Sequence, residues 1–361
     1  MKNTRKIQNN FNHTIKKVKI DGFKIFEKEN FEFKNLTILT GENSSGKSSL
    51  IQALLLLGNQ FVIRTSFNAD LQEYLRSLGQ KELFNKNLKT IKIKADDLEQ
   101  IWNKKDDGFQ TQNKFSYPNP LAYIENLIYL NADRNRIKQI NQYIANLKER
   151  FFGIYGDLVS NYYEHNKRKI IEQYLIKEQS SKTLETQVNY WLKEITGLKE
   201  LDFDTEQITP TLVRNVFKLN GDEFLPENMG TGLSYLFTIL TICLSAKKGN
   251  IIIIENPEIH LHPKSQAKLG EFFAFIASNG IQLIIETHND HIINKICYEA
   301  YKNNISKDDV VIHYFSIPYK KTTIYIDTKG HFIDEQGKPT QFPEGFFDAT
   351  LKEVFEMNED I

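Results

Sequence analysis

The feature that most constrains this chain is a glycine-rich loop, residues 41–48, which lies between a predicted strand and a predicted helix. The loop reads GENSSGKS and matches the phosphate-loop pattern GxxxxGK(S/T). Residues 35–40 (NLTILT) predict a short buried strand, and the leucine- and alanine-rich residues 48–59 predict a helix. Because a strand, a loop and a helix in this order are what such a loop needs to bind phosphate, the sequence predicts a nucleotide site.

Each residue type in this loop has a physical role in holding a triphosphate. Gly41 and Gly46 permit a tight turn that aims backbone N–H groups inward, and the start of the helix adds its positive end. Lys47 supplies a mobile charge for the β- and γ-phosphates, and Ser48 supplies a hydroxyl to Mg²⁺. The residues expected to bind the nucleotide are Asn43, Ser44, Ser45, Gly46, Lys47, Ser48 and Ser49.

Acidic residues and a histidine follow two later apolar strands. Residues 251–254 (IIII) predict a buried strand that ends at Glu255, where a carboxylate can hold Mg²⁺ through water together with Ser48. Glu258 is placed to orient a water against the γ-phosphate. After the next strand comes His288, which can donate to the γ-phosphate. A lone histidine there would more often be structural, but the neighbouring motifs favour a catalytic role for Glu255, Glu258 and His288.

A second glycine-rich segment precedes an apolar helix far along the chain. Residues 228–235 read NMGTGLSY, with Gly230 and Gly232 ahead of Ser234. The start of a helix can bind an anion, but this one follows no strand of the first site. We therefore expect Gly230, Gly232 and Ser234 to contact a nucleotide held by another copy of the protein. The alternative is a glycine-rich turn capped by serine.

Composition limits the class of protein. Hydrophobic residues make up 40% of the 361 residues, enough for a sizeable core. Lys+Arg and Asp+Glu both number 46, so a surface that binds polyanions throughout is not expected, although a local basic groove remains open. The two cysteines cannot form a disulfide framework, and no apolar run approaches the roughly 20 residues of a membrane span. With no secretion signal either, we expect a cytoplasmic protein without membrane contact.

The order of predicted elements indicates an α/β fold with a mainly parallel, covered sheet. Residues 1–60 are expected to form the N-terminal half of the nucleotide-binding domain, with an antiparallel strand-rich segment at 15–40. Residues 61–205 are expected to form a mainly helical insertion or arm that includes strands at 90–95 and 124–131. Residues 206–361 are expected to form the C-terminal half. Its predicted elements are strands at 251–254, 281–285 and 310–315, helices at about 264–278 and 289–301, a closing hairpin and a helix after Pro343.

These motifs, in this order, resemble the ABC/SMC branch of P-loop ATPases. The opening VKIDGFKIFEKENFEFKNLTILTGENSSGKSSLIQALLLL is similar to the start of such heads, in which an antiparallel sheet precedes the phosphate loop. The strings IIIIENPEIHLHPKSQ and IIETHNDHIINKI, the arginine of YLNADR and the terminal FPEGFFD resemble small bacterial AAA-type ATPases. These belong to the overcoming-lysogenisation-defect (OLD) group and are related to the ATPases of anti-phage systems such as Septu.

The resemblance implies a P-loop NTPase head that binds and hydrolyses ATP with Mg²⁺. It also implies a homodimer or higher oligomer, in which the phosphate loop and Glu255 of one copy face the glycine-rich segment of another and His288 acts as a switch histidine. ATP-dependent dimerisation would control a separate effector, a nuclease or toxin in anti-phage defence. The residues after the His288 helix offer no Asp-x-Asp pair, so a nuclease within this chain is not expected.

Several positions depart from the family pattern or extend it. Asn256 stands where ABC ATPases have the catalytic glutamate, and asparagine cannot act as a base, so either Glu258 takes that role or hydrolysis is slow. The signature reads MGTGLS instead of LSGGQ. Gln52 and Arg134 are further candidates for contacting water, Mg²⁺ or the γ-phosphate.

Three other functions are consistent with parts of the sequence. The histidines 260, 262, 288 and 291, with acidic residues nearby, have the composition of a metallohydrolase site. The ATPase subunit of a transporter would also lack membrane-spanning segments. A RecF-like repair ATPase would bind DNA directly through basic clusters at 16–19 and 167–169, although solvated faces are the simpler explanation of those clusters.

Overall fold

A computed structural model describes residues 14–59, 69–79, 81–86, 88–105, 108–114, 126–145 and 151–341. Within these ranges the chain forms a central sheet of seven strands, two smaller antiparallel sheets and seven α-helices. No helix in the described ranges is long and apolar enough to cross a membrane.

The strands and helices of the described residues are short to medium in length. The strands are β1 (Lys17–Phe23), β2 (Phe26–Glu32), β3 (Leu36–Gly41), β4 (Thr90–Ala95), β5 (Leu98–Lys105), β6 (Gly108–Lys114), β7 (Leu127–Leu130), β8 (Ile140–Gln142), β9 (Leu201–Thr209), β10 (Leu212–Leu219), β11 (Asp222–Phe224), β12 (Ile251–Glu255), β13 (Gln282–Glu286), β14 (Val310–Ser316), β15 (Lys320–Ile326) and β16 (Phe332–Ile333). The helices are α1 (Lys47–Asn59), α2 (Ala69–Ser77), α3 (Val159–Asn166), α4 (Leu184–Thr196), α5 (Thr231–Leu244), α6 (Pro263–Ser278) and α7 (Asp290–Tyr301).

The central sheet has the strand order β16-β15-β14-β3-β13-β12-β7. The strands from β14 to β7 run parallel, and β15 and β16 pair antiparallel at one edge. Every residue of β3, β7, β12 and β13 is buried, which is why these segments are nearly continuous apolar runs. Because parallel strands share one carboxyl edge, the residues that follow β3, β12 and β13 come together there.

Alternate residues of the central strands pack into two cores on opposite faces of the sheet. Ile252 and Ile254 of β12 belong to the core that includes helices α3 to α7. Ile251 and Ile253 belong to the core formed with α1, α2 and the N-terminal strands. This alternation follows from the two-residue period of a strand. The sheet is therefore covered on both faces, as the sequence predicts.

Two antiparallel sheets accompany the central one. The larger sheet has the order β2-β1-β4-β5-β6 and confirms the predicted N-terminal antiparallel subdomain. The smaller sheet joins β8, β9, β10 and β11, with β9 and β10 paired along most of their length. Gln282, at the start of β13, fixes the entering chain because its side chain bonds to the backbone of Ile15 and Lys34.

The structure corrects the mainly helical character expected for 61–205. The described part of this segment contains strands β4 to β8 as well as helices α2, α3 and α4. The strand predicted at 90–95 is confirmed as β4, and the strand predicted at 124–131 contains β7, which pairs with β12 in the central sheet. The strands β5 and β6, which extend the sheet of β4, were not predicted. β5 (LEQIWNKK) and β6 (GFQTQNK) are largely polar, so they lack the alternating apolar pattern that would have indicated strands.

Elsewhere the predicted elements are confirmed closely. The strands expected at 251–254, 281–285 and 310–315 are β12, β13 and β14, and the helices expected at 264–278 and 289–301 are α6 and α7. The closing hairpin is formed by β15 and β16. The helix predicted after Pro343 lies outside the described residues.

Candidate functional site

The phosphate loop leaves β3 and turns tightly into α1. Gly41 and Gly46 have positive φ angles of 122° and 114°, and Ser44 has a φ angle of 58°. A Cβ atom on Gly41 would lie 2.0 Å from the backbone oxygen of Phe315 on β14, so only glycine fits at this position. The loop thus has a backbone shape in which successive N–H groups can face an anion.

Lys47 begins α1 and is almost fully buried, with 3% of its surface exposed. Its Nζ atom donates to the carbonyl oxygens of Gly41 at 3.1 Å and Glu42 at 2.5 Å. Burial lowers the pKa of Lys47, and the carboxylates of Glu286 and Glu42 offset part of that shift. In this structure the ammonium group is therefore hydrogen-bonded to the backbone of the phosphate loop.

The other predicted loop residues differ in accessibility. Asn43, Ser44 and Ser48 are exposed, and Ser49 is half-buried. Ser45 is buried, and its hydroxyl donates to the Glu42 carbonyl at 2.7 Å. The Ser45 hydroxyl is therefore engaged within the loop, whereas the Ser48 hydroxyl lies on the open side.

Glu255 ends β12 with both carboxylate oxygens engaged. The Tyr129 hydroxyl donates to Oε1 at 3.0 Å, and the Ala132 N–H donates to Oε2 at 3.3 Å. Burial raises the pKa of Glu255, and these two hydrogen bonds and Arg134 offset part of the shift. Sequence reasoning missed Tyr129 because it lies inside a short apolar strand that looks like ordinary core.

Glu286, which the sequence analysis did not single out, adds a third carboxylate to Glu255 and Glu258. It ends β13, is 6% exposed, and pairs in register with Glu255. The Ser48 hydroxyl donates to its Oε1 atom at 3.5 Å. Burial raises the pKa of Glu286 to about 7, and repulsion from Glu255 adds to the shift while Lys47 opposes it. Its place at the carboxyl end of a predicted strand beside the phosphate loop is the signal that could have found it.

Glu258 and His288 meet through the backbone. The His288 N–H donates to Glu258 Oε1 at 3.2 Å, while Oε2 is buried without a hydrogen-bond partner among the described residues. Burial raises the pKa of Glu258. Partial burial and the nearby Lys47 lower the pKa of His288, and a backbone hydrogen bond at Gly41 opposes this. The structure therefore brings the predicted acids and histidine to the edge that carries the phosphate loop.

Arg134 is committed to backbone contacts. Its guanidinium donates to the carbonyl oxygens of Asn131 at 3.2 Å, Glu255 at 2.6 Å and Asn256. Asn256 has a φ angle of 43°, and its N–H donates to the Glu286 carbonyl at 2.8 Å. Burial lowers the pKa of Arg134 to about 10. The guanidinium thus holds the turn after β12 through its two terminal nitrogens, and its contact with water, Mg²⁺ or phosphate stays a prediction.

Gln52 is also engaged within the protein. It accepts from Lys24 Nζ at 2.6 Å and donates to the Tyr74 hydroxyl at 3.1 Å. The rings of Tyr74 and Tyr129 are 5.9 Å apart between centroids. Gln52 therefore supports the tyrosine pair behind Glu255, and its contact with water or Mg²⁺ stays a prediction.

The second glycine-rich segment starts α5, but Ser234 does not face the surface. α5 begins at Thr231, with Gly230 as its N-cap. Gly230 is exposed and Thr231 is half-buried, whereas Ser234 is 0% exposed. Ser234 lies three residues after the start of the helix, where it is enclosed by the surrounding structure. This corrects the expectation that Ser234 reaches another copy, and Thr231 carries the accessible hydroxyl.

Contacts within the chain attach the start of α5 to the turn after β12. The guanidinium carbon of Arg134 lies 5.4 Å from the Tyr235 ring centroid. A Cβ atom on Gly232 would lie 2.4 Å from the His260 backbone oxygen, so this glycine permits the helix to pack closely there. Arg136 holds the preceding loop by donating to the carbonyl oxygens of Pro226, Glu227 and Met229.

The histidines do not form a metal centre in the described part of the chain. There, no three His, Cys, Asp or Glu side chains are placed to hold a metal ion. His262 caps α6, because its Nδ1 atom accepts from the Lys264 N–H at 3.3 Å. His260 packs against the Tyr235 ring. The metallohydrolase interpretation therefore has no site among these residues.

The chain belongs to the AAA ATPase domain family. The model of that family (AAA_15) matches residues 14–77 and 64–293. A second family model, described as a protein of unknown function (DUF3696), matches residues 305–357. No curated protein matches the chain.

The fold is that of an SMC head. The structure of an SmcHead bound to the C-winged helix domain of ScpA has a TM-score of 0.57 at 14% identity, over 87% of this chain and 98% of that chain. An Smc head domain with an extended coiled coil, bound to the C-terminal domain of ScpA derived from Pyrococcus furiosus, has a TM-score of 0.53 at 14% identity. That match covers 95% of this chain and 99% of that chain. The predicted α/β fold of an SMC-type P-loop NTPase head is therefore confirmed.

The raised pKa of Glu286 makes stability depend on pH. An acid whose pKa is higher in the folded than in the unfolded protein binds more protons when the protein is folded. For Glu286, the folded protein therefore loses stability as the pH rises from 4.5, the ordinary pKa of a glutamate, through about 7, its pKa in the folded protein. We expect Glu286→Gln to remove this loss. The melting temperature of the variant minus that of the unsubstituted protein should increase by several degrees from pH 5 to pH 8, since one pKa unit corresponds to about 1.4 kcal/mol.

Thermal unfolding without nucleotide or Mg²⁺ measures this effect. The exposed Glu206→Gln serves as the control and should show no such trend. A difference between Glu286→Gln and the unsubstituted protein that is the same at pH 5 and pH 8 would contradict the assignment.

Proposed function

We propose that this protein binds ATP with Mg²⁺ at the phosphate loop and hydrolyses it as an SMC-like ATPase. The observation that carries this proposal is the shared sheet edge, where the glycine-rich loop and Lys47 adjoin Glu255, Glu258 and Glu286. A loop of backbone N–H groups at a helix start, a lysine and a hydroxyl beside carboxylates are the parts that phosphoryl transfer requires. Membership of the AAA ATPase domain family supports the same activity.

Each side chain has a distinct role in this proposal. Lys47 exchanges its two carbonyl contacts for β- and γ-phosphate oxygens. The Ser48 hydroxyl and the neighbouring carboxylates fit Mg²⁺, which prefers oxygen ligands and, when bound, neutralises developing charge on the phosphates. Glu258 orients the attacking water, because its carboxylate lies beside His288 at this edge and Asn256 cannot act as a base. His288 contacts the γ-phosphate.

Lys47→Ala should abolish tight nucleotide binding. Hydrogen bonds to charged groups contribute about 1.5–3 kcal/mol each, so the Kd for Mg-ATP should rise by about 10-fold to more than 100-fold. Titration calorimetry on the full chain measures this, with the exposed Lys199→Ala as the matched control. Unchanged affinity in a folded Lys47→Ala variant would refute the site.

We further propose that two or more copies join through bound nucleotide. In this arrangement Gly230 and Thr231 of one copy approach the γ-phosphate held by the other, because they form the accessible start of α5. The contacts of Arg134 and Arg136 support a link between that helix start and the catalytic turn of the same chain. Ser234 has only an indirect role, through the packing of α5.

Substitutions at the start of α5 distinguish Thr231 from Ser234. Thr231→Asp should prevent ATP-dependent dimerisation, because its charge repels the γ-phosphate, while an acid in the first turn of a helix does not harm folding. Ser234→Ala should dimerise like the unsubstituted protein. Light scattering with Mg²⁺ and a non-hydrolysable ATP analogue measures the mass. Normal dimerisation of Thr231→Asp, or its loss in Ser234→Ala alone, would contradict this assignment.

We also propose that dimerisation controls a separate effector, a nuclease or toxin, in cytoplasmic anti-phage defence. The resemblance of the phosphate-loop, Glu255 and His288 segments to the OLD group and to Septu ATPases supports this role. The two similar SMC heads are each bound to a domain of ScpA, so a head of this fold can carry a protein partner.

Nucleic acid is the alternative partner, and it would bind the basic clusters at 16–19 and 167–169. In the second cluster, Lys167 is buried and forms ion pairs with Glu164 and Asp204, both at 3.0 Å. Lys17 and Lys19 lie exposed on β1. The paired state of Lys167 favours a structural role for that cluster.

A further inference from the structure

We propose that Glu286, and not Glu255, is the carboxylate that works with Ser48 to hold Mg²⁺ at the phosphate loop. This inference rests on the proposed binding of Mg-ATP and concerns which residue holds the metal. The sequence pattern favours Glu255, because it ends the apolar strand that usually carries the metal-binding acid. The geometry points to its neighbour on the next strand.

The strand order sets the distance of each acid from the loop. β13 lies between β3 and β12, and Glu286 pairs in register with Leu39 on one side and Glu255 on the other. Neighbouring strands are about 4.8 Å apart, so Glu255 lies one further strand away from the chain that enters the phosphate loop. Glu286 is therefore the nearer carboxylate by about the width of a strand.

The contact between Glu286 and Ser48 places the two side-chain oxygens close enough to share a metal ion. The two oxygens, Ser48 Oγ and Glu286 Oε1, are 3.5 Å apart. Adjacent ligands of an octahedral Mg²⁺ with bond lengths of 2.0–2.1 Å lie about 3 Å apart, so a small movement allows both oxygens to bind the ion or one of its waters. The side chain is buried, which keeps it fixed at this position.

The carboxylate oxygens of Glu255 are already engaged in hydrogen bonds that do not involve Ser48. Both of its oxygens accept from donors on the far side from the phosphate loop, Tyr129 and Ala132 on and after β7. Tyr129 is itself buried, and its hydroxyl also accepts from the Asn131 side chain at 2.9 Å. Glu255 would have to give up these bonds to reach Ser48, so its role is to hold the chain after β7 and β12.

A cation bound beside Glu255 and Glu286 would reduce the repulsion between these two acids. Glu255 and Glu286 are register partners on adjacent strands, and both are buried. Like charges placed side by side in a buried site repel each other unless a positive charge lies between or beside them. Lys47 provides one such charge but moves to the phosphates when nucleotide binds, and a divalent cation next to Glu286 would replace it.

The test compares ATP binding with Mg²⁺ and with EDTA at pH 8, using the full chain and a fluorescent ATP analogue. The quantity measured is the ratio of the two dissociation constants, metal-free over Mg²⁺-bound. Glu286→Gln should reduce this ratio by at least 10-fold, because it weakens the metal site and also removes repulsion of metal-free ATP. Glu255→Gln should change it by less than 3-fold. The matched control is the exposed Glu206→Gln, which removes the same charge away from the phosphate loop and should leave the ratio unchanged.

The outcomes separate this inference from the proposed function. A large loss of Mg²⁺ dependence in Glu255→Gln, or an unchanged ratio in Glu286→Gln, would overturn the inference while ATP binding itself stands. Failure of the unsubstituted protein to bind ATP under either condition would overturn both. Should Glu286→Gln fail to fold, Glu286→Asp keeps the charge but shortens its reach. A ratio reduced by at least 3-fold in that variant supports the inference, and an unchanged ratio contradicts it.

Discussion

Two buried carboxylates, Glu255 and Glu286, the half-buried Glu258 and the phosphate-loop lysine share one edge of a parallel sheet, and their charges must be balanced there. Lys47 partly offsets the repulsion that Glu286 experiences from Glu255. Glu255 is stabilised by the Tyr129 hydroxyl and a backbone N–H, and Glu258 by the N–H of His288. These contacts are possible because the carboxyl ends of parallel strands meet at one edge. Binding of a triphosphate with a divalent cation would change the electrostatic environment of all these groups together.

The same edge is connected to the surface that a second copy would approach. Arg134 binds three carbonyl oxygens around the turn after β12 and lies against Tyr235 on α5. Gly232 permits α5 to contact the backbone of His260. A shift of the turn after β12 would therefore move the start of α5, where Gly230 is exposed. In the proposed dimer, this link within one chain would connect nucleotide binding at the phosphate loop with the surface that faces the second copy.

The sequence predicted the parts of the site that depend on short segments. The phosphate loop, the acid after β12 and the histidine after β13 each follow an apolar run directly, so their positions could be predicted from spacing alone. Tyr129 was missed because it lies inside a buried strand and its partner Glu255 is on a neighbouring strand distant in sequence. Glu286 directly follows an apolar run, as Glu255 does, so its position had a signal in the sequence; its pairing with Glu255 across the sheet did not. The backbone contacts of Arg134 could not be predicted for a related reason, since backbone carbonyl acceptors have no sequence signature. Ser234 was misplaced because the helix begins at Thr231, so Ser234 lies one turn inside the helix, where the surrounding structure covers it.

The most direct test of the account is a crystal structure of the protein with Mg²⁺ and a non-hydrolysable ATP analogue. The account predicts that the triphosphate lies along the backbone of residues 41–48, with Lys47 Nζ moved from the Gly41 and Glu42 carbonyls to phosphate oxygens. It also predicts that Gly230 and Thr231 of a second copy contact the γ-phosphate. A nucleotide bound away from the loop, or Lys47 still bonded to those carbonyls with the analogue in place, would contradict it.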